Sequence, residues 1–244
     1  TADMNLKNSW MASTQILKFS KVEPDQLKKA VRNNQYQQSH FRDDHAWGFS
    51  NFGKSYQPRN KSLRLRGLNI VFIENEDEYE AYINALLLFN VDPLSKASVA
   101  EAKNKAAEEA ELILKYLKNN LAGFEKAELK ELPEELYRRE SRHFLTEYQL
   151  QVEDLFRQKI FADSITIASY PLDYQAADHD YPGFVLFNPE YYSIPLRTLI
   201  ARKNDNLMIV GRSSGYSSLA AASARVLPVG MNTAQAAAAA AAEA

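Results

Sequence analysis

Apolar residues recur along this chain at two different spacings, and the spacing changes from region to region. Leu63, Leu65, Leu68, Ile70 and Phe72 fall on nearly every second position, broken at Gly67. That pattern predicts a strand, or two short strands with a bulge. Residues 79–89 are apolar and β-rich enough to pair with it through a hairpin at Asn75-Glu76-Asp77, although Ala81, Ala85 and the leucines also suit a helix. Residues 16–19 predict another short strand. Pro24, then Asp25, Leu27 and Val31, predict a short helix. Residues 40–60, rich in Asn, Gly, Ser and aromatics, read as a loop. The spacing then moves to threes and fours at Val99, Ala102, Ala106, Ala110, Ile113 and Leu117, which predicts a helix. Ser98 and Glu101 form its capping box, Asn119-Asn120 mark its end, and Lys103, Lys105, Glu108 and Glu109 make its solvated face.

The second half is patterned less regularly. A charge-dense block covers 131–142. A short helix is expected within 147–157, after Thr146, and a strand at Ile165, Ile167 and Ala168. A loop follows at 178–182, then a short strand within 184–187. Leu207-Met208-Ile209-Val210 reads as a continuous strand buried on both faces, ended by Gly211. Helices are expected over 217–226 and from about Asn232 onward. Strand, glycine turn and helix form the unit that places ligands at the carboxyl end of a parallel sheet.

Composition narrows the function. The 244 residues carry 29 Lys and Arg against 31 Asp and Glu, so the net charge is −2. That balance argues against a protein that coats nucleic acid, which needs a basic excess. With no cysteine, disulfides, thiolate metal sites and a Cys nucleophile are excluded. No apolar run approaches the roughly 20 residues of a membrane span, so neither nucleic acid nor membrane is expected as a partner. The compartment is not fixed by these features; the cytoplasm is the expectation. The chain opens at Thr1 and closes in an alanine run, Ala236 to Ala242, without a helix stop signal. A piece of a longer polypeptide is therefore expected.

Several constellations could carry chemistry. Gly211-Arg212-Ser213-Ser214-Gly215 matches G-x-S-x-G, which would make Ser213 an esterase nucleophile. All four histidines, His40, His45, His143 and His179, lie upstream of it, opposite to the order Ser, acid, His of the hydrolases built on that elbow. Arg139, Glu140 and Arg142 are the catalytic candidates: arginine grips a carboxylate through a planar fork, and Glu140 could act as acid or base. They compete with a structural salt-bridge cluster. His40 and His45 flank aromatics and could line a substrate. Asp178, His179 and Asp180 could suggest a metal, but three consecutive ligands rarely converge on one ion, so no metal is expected.

Ordered blocks then point to a family. Residues 192–214 read Y-S-I-P-L-R-T-L-I-A-R-K-N-D-N-L-M-I-V-G-R-S-S, and 220–240 continue A-A-A-S-A-R-V-L-P-V-G-M-N-T-A-Q-A-A-A-A-A. Upstream stand Met11-Ala12-Ser13-Thr14, Gly123-Phe124-Glu125, Arg139-Glu140-Ser141-Arg142, Asp163-Ser164-Ile165 and Tyr170-Pro171-Leu172-Asp173. Together they resemble the bacterial FAD-dependent oxidoreductase family, flavoproteins built on two dinucleotide folds. The resemblance is scattered over most of 10–240 and dense after 120.

It implies an α/β fold: the carboxyl-terminal part of an FAD/NAD(P)-binding, Rossmann-like domain over 161–244 with 1–19, and a mixed α+β substrate or cap domain over 20–160. It implies FAD as cofactor, held by Gly211, Arg212, Arg225, Asn232, Thr233, Ala234 and Gln235. Residues 232–235 would open a helix whose unpaired N–H groups and partial positive charge face the isoalloxazine. Hydride would pass from a small, anionic substrate to the flavin. Two departures stand out. Ala234 and Ala238 replace family glycines, and none of the eight glycines here is spaced as G-x-G, the motif that cradles the pyrophosphate. A missing amino-terminal segment or second chain would complete the site. The competing readings are a cofactor-free binding or structural remnant of the same fold and, further off, a hydrolase using Ser213.

Overall fold

The computed structural model describes residues 10–76, 78–175, 183–186, 188–204 and 206–243. The chain divides into two compact units: Ala12–Arg138, and Arg139–Ala244 together with the stretch that ends at Met11. These units divide at 11/12 and 138/139; the family resemblance implies boundaries at 19/20 and 160/161.

The 12–138 unit is built on one antiparallel sheet. Its strands are β1 (Ser13–Val22), β2 (His40–Arg42), β3 (His45–Trp47), β4 (Leu63–Leu65), β5 (Asn69–Glu74), β6 (Tyr79–Leu88) and β7 (Glu128–Leu129). Their order is β2-β3-β5-β6-β1-β7, with β4 also paired to β6. The period-two pattern works as expected: Leu17 pairs with Ile83 and Phe19 with Ala81, and all four are buried in one core. Helix α3 (Lys96–Asn120) adds Ala102, Ala106, Ala110, Ile113 and Leu117 to that core. The short helix α1 (Pro24–Arg32) contributes Leu27 and Ala30.

Three expectations need correction here. The N-cap of α3 is Ser95, whose hydroxyl accepts from the Ser98 N–H at 3.2 Å; Ser98 sits inside the first turn and takes the Asp92 N–H instead. Glu109 is not solvated. It is buried and accepts the Tyr56 hydroxyl at 2.5 Å and the Arg59 N–H at 3.2 Å, which satisfies a carboxylate on the core side of the helix. And 40–60 is no loop: it holds the β2–β3 hairpin and α2 (Ser50–Ser55). Three-residue strands are too short to display a period, and Phe49, Phe52 and Tyr56 are core, whereas Trp47 is exposed. Phe49 and Phe52 pack against Tyr36, and Phe52 meets Tyr116.

The second unit has smaller elements: α4 (Val152–Phe156), β8 (Ser164–Ala168), β9 (Asp173–Tyr174), β10 (Phe184–Val185), β11 (Tyr192–Pro195), α5 (Ser218–Ala224) and α6 (Leu227–Glu243). β8 pairs with β11 and β9 with β10, both antiparallel. Around α5, the buried Ala220, Ala221, Ala222 and Ala224 pack with Tyr192, Tyr216, Leu150 and Leu155. Methyl-sized side chains let the helix sit close to large neighbours. Ser223 donates to the Tyr170 carbonyl at 2.6 Å, so its one hydroxyl proton is used and Tyr192 donates to it at 2.7 Å.

The expected strand 207–210 is not formed. Only Met208 makes a bridge, to Ile200, while Leu207 and Val210 are exposed. Among the described residues the parallel sheet built on that reading is likewise not there: every ladder between named strands is antiparallel, and the parallel Leu150–Tyr216 contact is an isolated bridge. Asp178, His179 and Asp180, with the rest of the expected 178–182 loop, lie outside the described residues. Among the described residues no group of three metal-ligating side chains converges, and no helix is long and apolar enough to cross a membrane.

Candidate functional site

The Arg139-Glu140-Ser141-Arg142 block folds around one carboxylate. Glu140 is 4% exposed. Its Oε1 accepts the Met11 N–H at 2.7 Å; its Oε2 accepts the Ser218 hydroxyl at 2.9 Å and meets His143 Nε2 at 3.1 Å. The Trp10 indole N–H donates to the Ser141 carbonyl at 3.2 Å, so the stretch before β1 is held to this block at two points. Burial raises the pKa of the Tyr174 phenol, the Glu140 charge adds to the rise, and the Ser218 hydroxyl opposes it. Arg139 is also buried and engaged, whereas Arg142 is exposed. The block therefore turns two of its charged side chains inward and one outward. Sequence reasoning misses the roles of His143, Ser218 and Tyr174. Ser218 is 78 residues away, and no spacing rule reaches it. The only sequence pointer to this junction is the Met11-Ala12-Ser13-Thr14 block.

The second half of the site lies at the start of α6. Residues 211–213 form a single 3-10 turn, and Gly211 has φ +77°. A Cβ built on Gly211 would meet nothing within 4 Å, so the glycine faces open space. A Cβ on Gly230, in the first turns of α6, would touch the Gly211 Cα at 4.0 Å, which puts turn and helix side by side. The helix opens at Leu227, five residues ahead of Asn232. Its ladder begins with the Gly230 N–H donating to the Val226 carbonyl at 3.0 Å. Earlier N–H groups, those of Leu227 and Val229, have no carbonyl four residues back within the helix, and Pro228 has none to offer. Leu227 is 82% exposed and Met231 71%. An apolar surface thus lies open beside the positive end of a seventeen-residue helix.

The residues expected to hold a cofactor are placed differently from one another. Gly211 is open on its Cβ side, and Arg212 is exposed on the same turn. Arg225 is buried just after α5, its Nη2 donating to the Asp173 carbonyl at 3.3 Å and lying 3.7 Å from the Asp173 carboxylate. Residues 232–235 are inside α6, so their N–H groups belong to the helix ladder and do not open it. The Asn232 amide reaches the Thr166 hydroxyl at 3.1 Å, Thr233 is buried and donates to the Gly230 carbonyl at 3.0 Å, and Ala234 and Gln235 are exposed. Ser213 lacks the preceding strand that a nucleophile elbow requires, and no histidine hydrogen-bonds it among the described residues.

Compared with known families, residues 2–244 match the model of the FAD dependent oxidoreductases. No curated protein and no solved structure matches the chain.

Proposed function

Because the chain belongs to the FAD dependent oxidoreductase family, whose cofactor is FAD, we propose that its second unit supplies the ring end of a flavin site and that the protein oxidises a small anionic substrate. The observation that carries this reading is Gly211, open on its Cβ side and next to Gly230 in the first turns of α6, a helix whose Leu227 and Met231 are exposed. A side chain on Gly211 would occupy space that no protein atom fills, and the exposed Leu227 and Met231 offer a face for a flat heterocycle. The residues present fit the isoalloxazine end. They do not fit the pyrophosphate, because no G-x-G spacing exists in the chain. A Rossmann-like phosphate cradle would come from a preceding segment or a second chain.

When bound, the flavin supplies a two-electron acceptor for substrate hydride. The Leu227 and Val229 N–H groups would hold its electron-rich edge, taking the place assigned to 232–235 because the helix starts earlier. Arg212 and Arg142, both exposed, can meet an anionic substrate or a cofactor phosphate. Glu140 works indirectly. Both its oxygens already accept hydrogen bonds, so it orients His143 by holding Nε2–H and would stabilise the imidazolium formed when Nδ1 gains a proton. Nδ1 is buried without a hydrogen-bond partner among the described residues, so His143 would take the substrate's proton only from a group that reaches that nitrogen, and Arg139 belongs to the buried frame around it.

Titration of the purified protein with FAD, followed by flavin fluorescence, tests the site: Gly211→Val must weaken binding at least tenfold. For the proton carrier, His143→Gln should lower kcat of the flavin-loaded enzyme by roughly 100-fold with KM little changed, and Glu140→Gln should lower it less. An unchanged kcat in both variants ends the His143 assignment. A second reading, a fold retained without cofactor, is favoured by the missing G-x-G spacing alone. Absence of binding even of lumiflavin, which needs no phosphate cradle, would support it.

A further inference from the structure

The 12–138 unit has a groove of about 530 Å3 that plays no part in the reading above. It lies between the start of α1, the β2–β3 turn and the β5–β6 end of the sheet, and its chemistry is one-sided. Four carboxylates line it, from Asp25, Asp43, Asp44 and Glu74, against the single ammonium of Lys28. Its apolar wall is the stacked pair Phe41 and Phe72, with centroids 5.7 Å apart and planes 18° off parallel. The carboxylates are not equivalent. Asp43 faces the Arg42 guanidinium at 3.5 Å, and Glu74 accepts the Tyr79 hydroxyl. Asp25 and Asp44 make no side-chain hydrogen bond or ion pair among the described residues. Asp25, in the first turn of α1, complements the helix dipole; Asp44 has no such task. Meanwhile Lys28 holds its ammonium 5.7 Å from the centre of the Phe41 ring. This chain therefore already places one cation on the aromatic wall.

We propose that this groove binds an organic cation: an amidinium, guanidinium or ammonium carried on a flat or slender apolar body. The body lies on Phe41, and the charge sits between Asp25 and Asp44. An anion is disfavoured by the net negative lining, and a neutral aromatic would leave both carboxylates unanswered. Lys28 occupies the ring when the groove is empty and competes with the ligand for it.

Benzamidinium is the probe, with benzamide, its neutral counterpart of the same shape, as control. Calorimetric titration of the whole protein should show benzamidinium binding at least tenfold more tightly than benzamide, and more weakly as salt rises. The double variant Asp25→Asn, Asp44→Asn, at exposed positions where folding is little affected, should lose about tenfold of that affinity. Lys28→Met should gain severalfold, an effect that a merely structural change would not produce. Equal binding of the two probes, no binding of benzamidinium, or the same affinity in the double variant and the parent overturns the proposal. None of these outcomes depends on flavin, so the proposal stands or falls apart from the flavin site.

Discussion

The two units solve the burial problem differently. Residues 12–138 form a long-stranded sheet with a twenty-five-residue helix, and its aromatics are mostly inside. The second unit makes do with strands of two to five residues, isolated bridges and alanine-rich helices. It leaves Leu227, Met231, Val185 and Leu186 more than half exposed. In the 12–138 unit the inner strands are paired on both sides and α3 packs onto the buried face of the sheet. The second unit keeps an apolar face and a helix start uncovered, and those are the features that a bound cofactor can use. On this reading stability and flavin binding fall to different units.

The sharpest way to break that contrast is by truncating side chains. Phe19→Ala should cost about 3–5 kcal/mol in urea unfolding, because a fully buried ring leaves a cavity in a continuous core. Leu227→Ala should cost less than about 0.5 kcal/mol yet weaken flavin binding. If Leu227→Ala destabilises as much as Phe19→Ala, the mouth of α6 is not an open face.

The next effect is alkaline. Burial pushes the Tyr216 hydroxyl up to about 12, against the ordinary 10.0. The pKa is raised in the folded state, so its contribution is complete below pH 10 and is lost as pH climbs through about 12. Unfolding midpoints measured across that window should fall, and Tyr216→Phe should flatten the slope. An equal slope in the variant would place the titration elsewhere.

Glu140→Ala would leave the Met11 N–H and the Ser218 hydroxyl without their acceptor, at a cost of about 1–3 kcal/mol; Glu140→Gln should recover most of it. Smaller still is the cap of α3. Ser95→Ala should cost about 1 kcal/mol, whereas Glu101→Ala removes only its exposed pair with Lys105 and should cost less. The reverse order would restore the Ser98–Glu101 capping box.

What is legible in the sequence follows the same divide. Residues 63–72 alternate because one sheet face is buried, so the amino-acid pattern reveals β4 and β5, as it does α1 and the body of α3; at β6 the run Ala85-Leu86-Leu87-Leu88 is buried throughout, which is why the sequence there also suits a helix. The three-residue strands β2 and β3 leave no such trace, since a period needs several repeats. Leu207–Val210 misleads because four consecutive apolar residues look alike whether buried in a sheet or half exposed on a loop. The start of α6 is hidden by Pro228 and Gly230, residues that usually punctuate helices. Pro228 is tolerated because a first-turn N–H has no intrahelical acceptor to lose. Ordered motif blocks lead to the family and its cofactor, and to Glu140. Ser218 and Tyr174 are beyond reach, because contacts that join distant segments leave no local pattern.

The most direct test of the flavin site compares two ligands on the purified chain: FAD, and lumiflavin, which has the ring system but no phosphates. A site that grips only the ring predicts affinities for the two within a few-fold of each other, both lost in Gly211→Val. Failure to bind either, or binding that Gly211→Val leaves untouched, contradicts it.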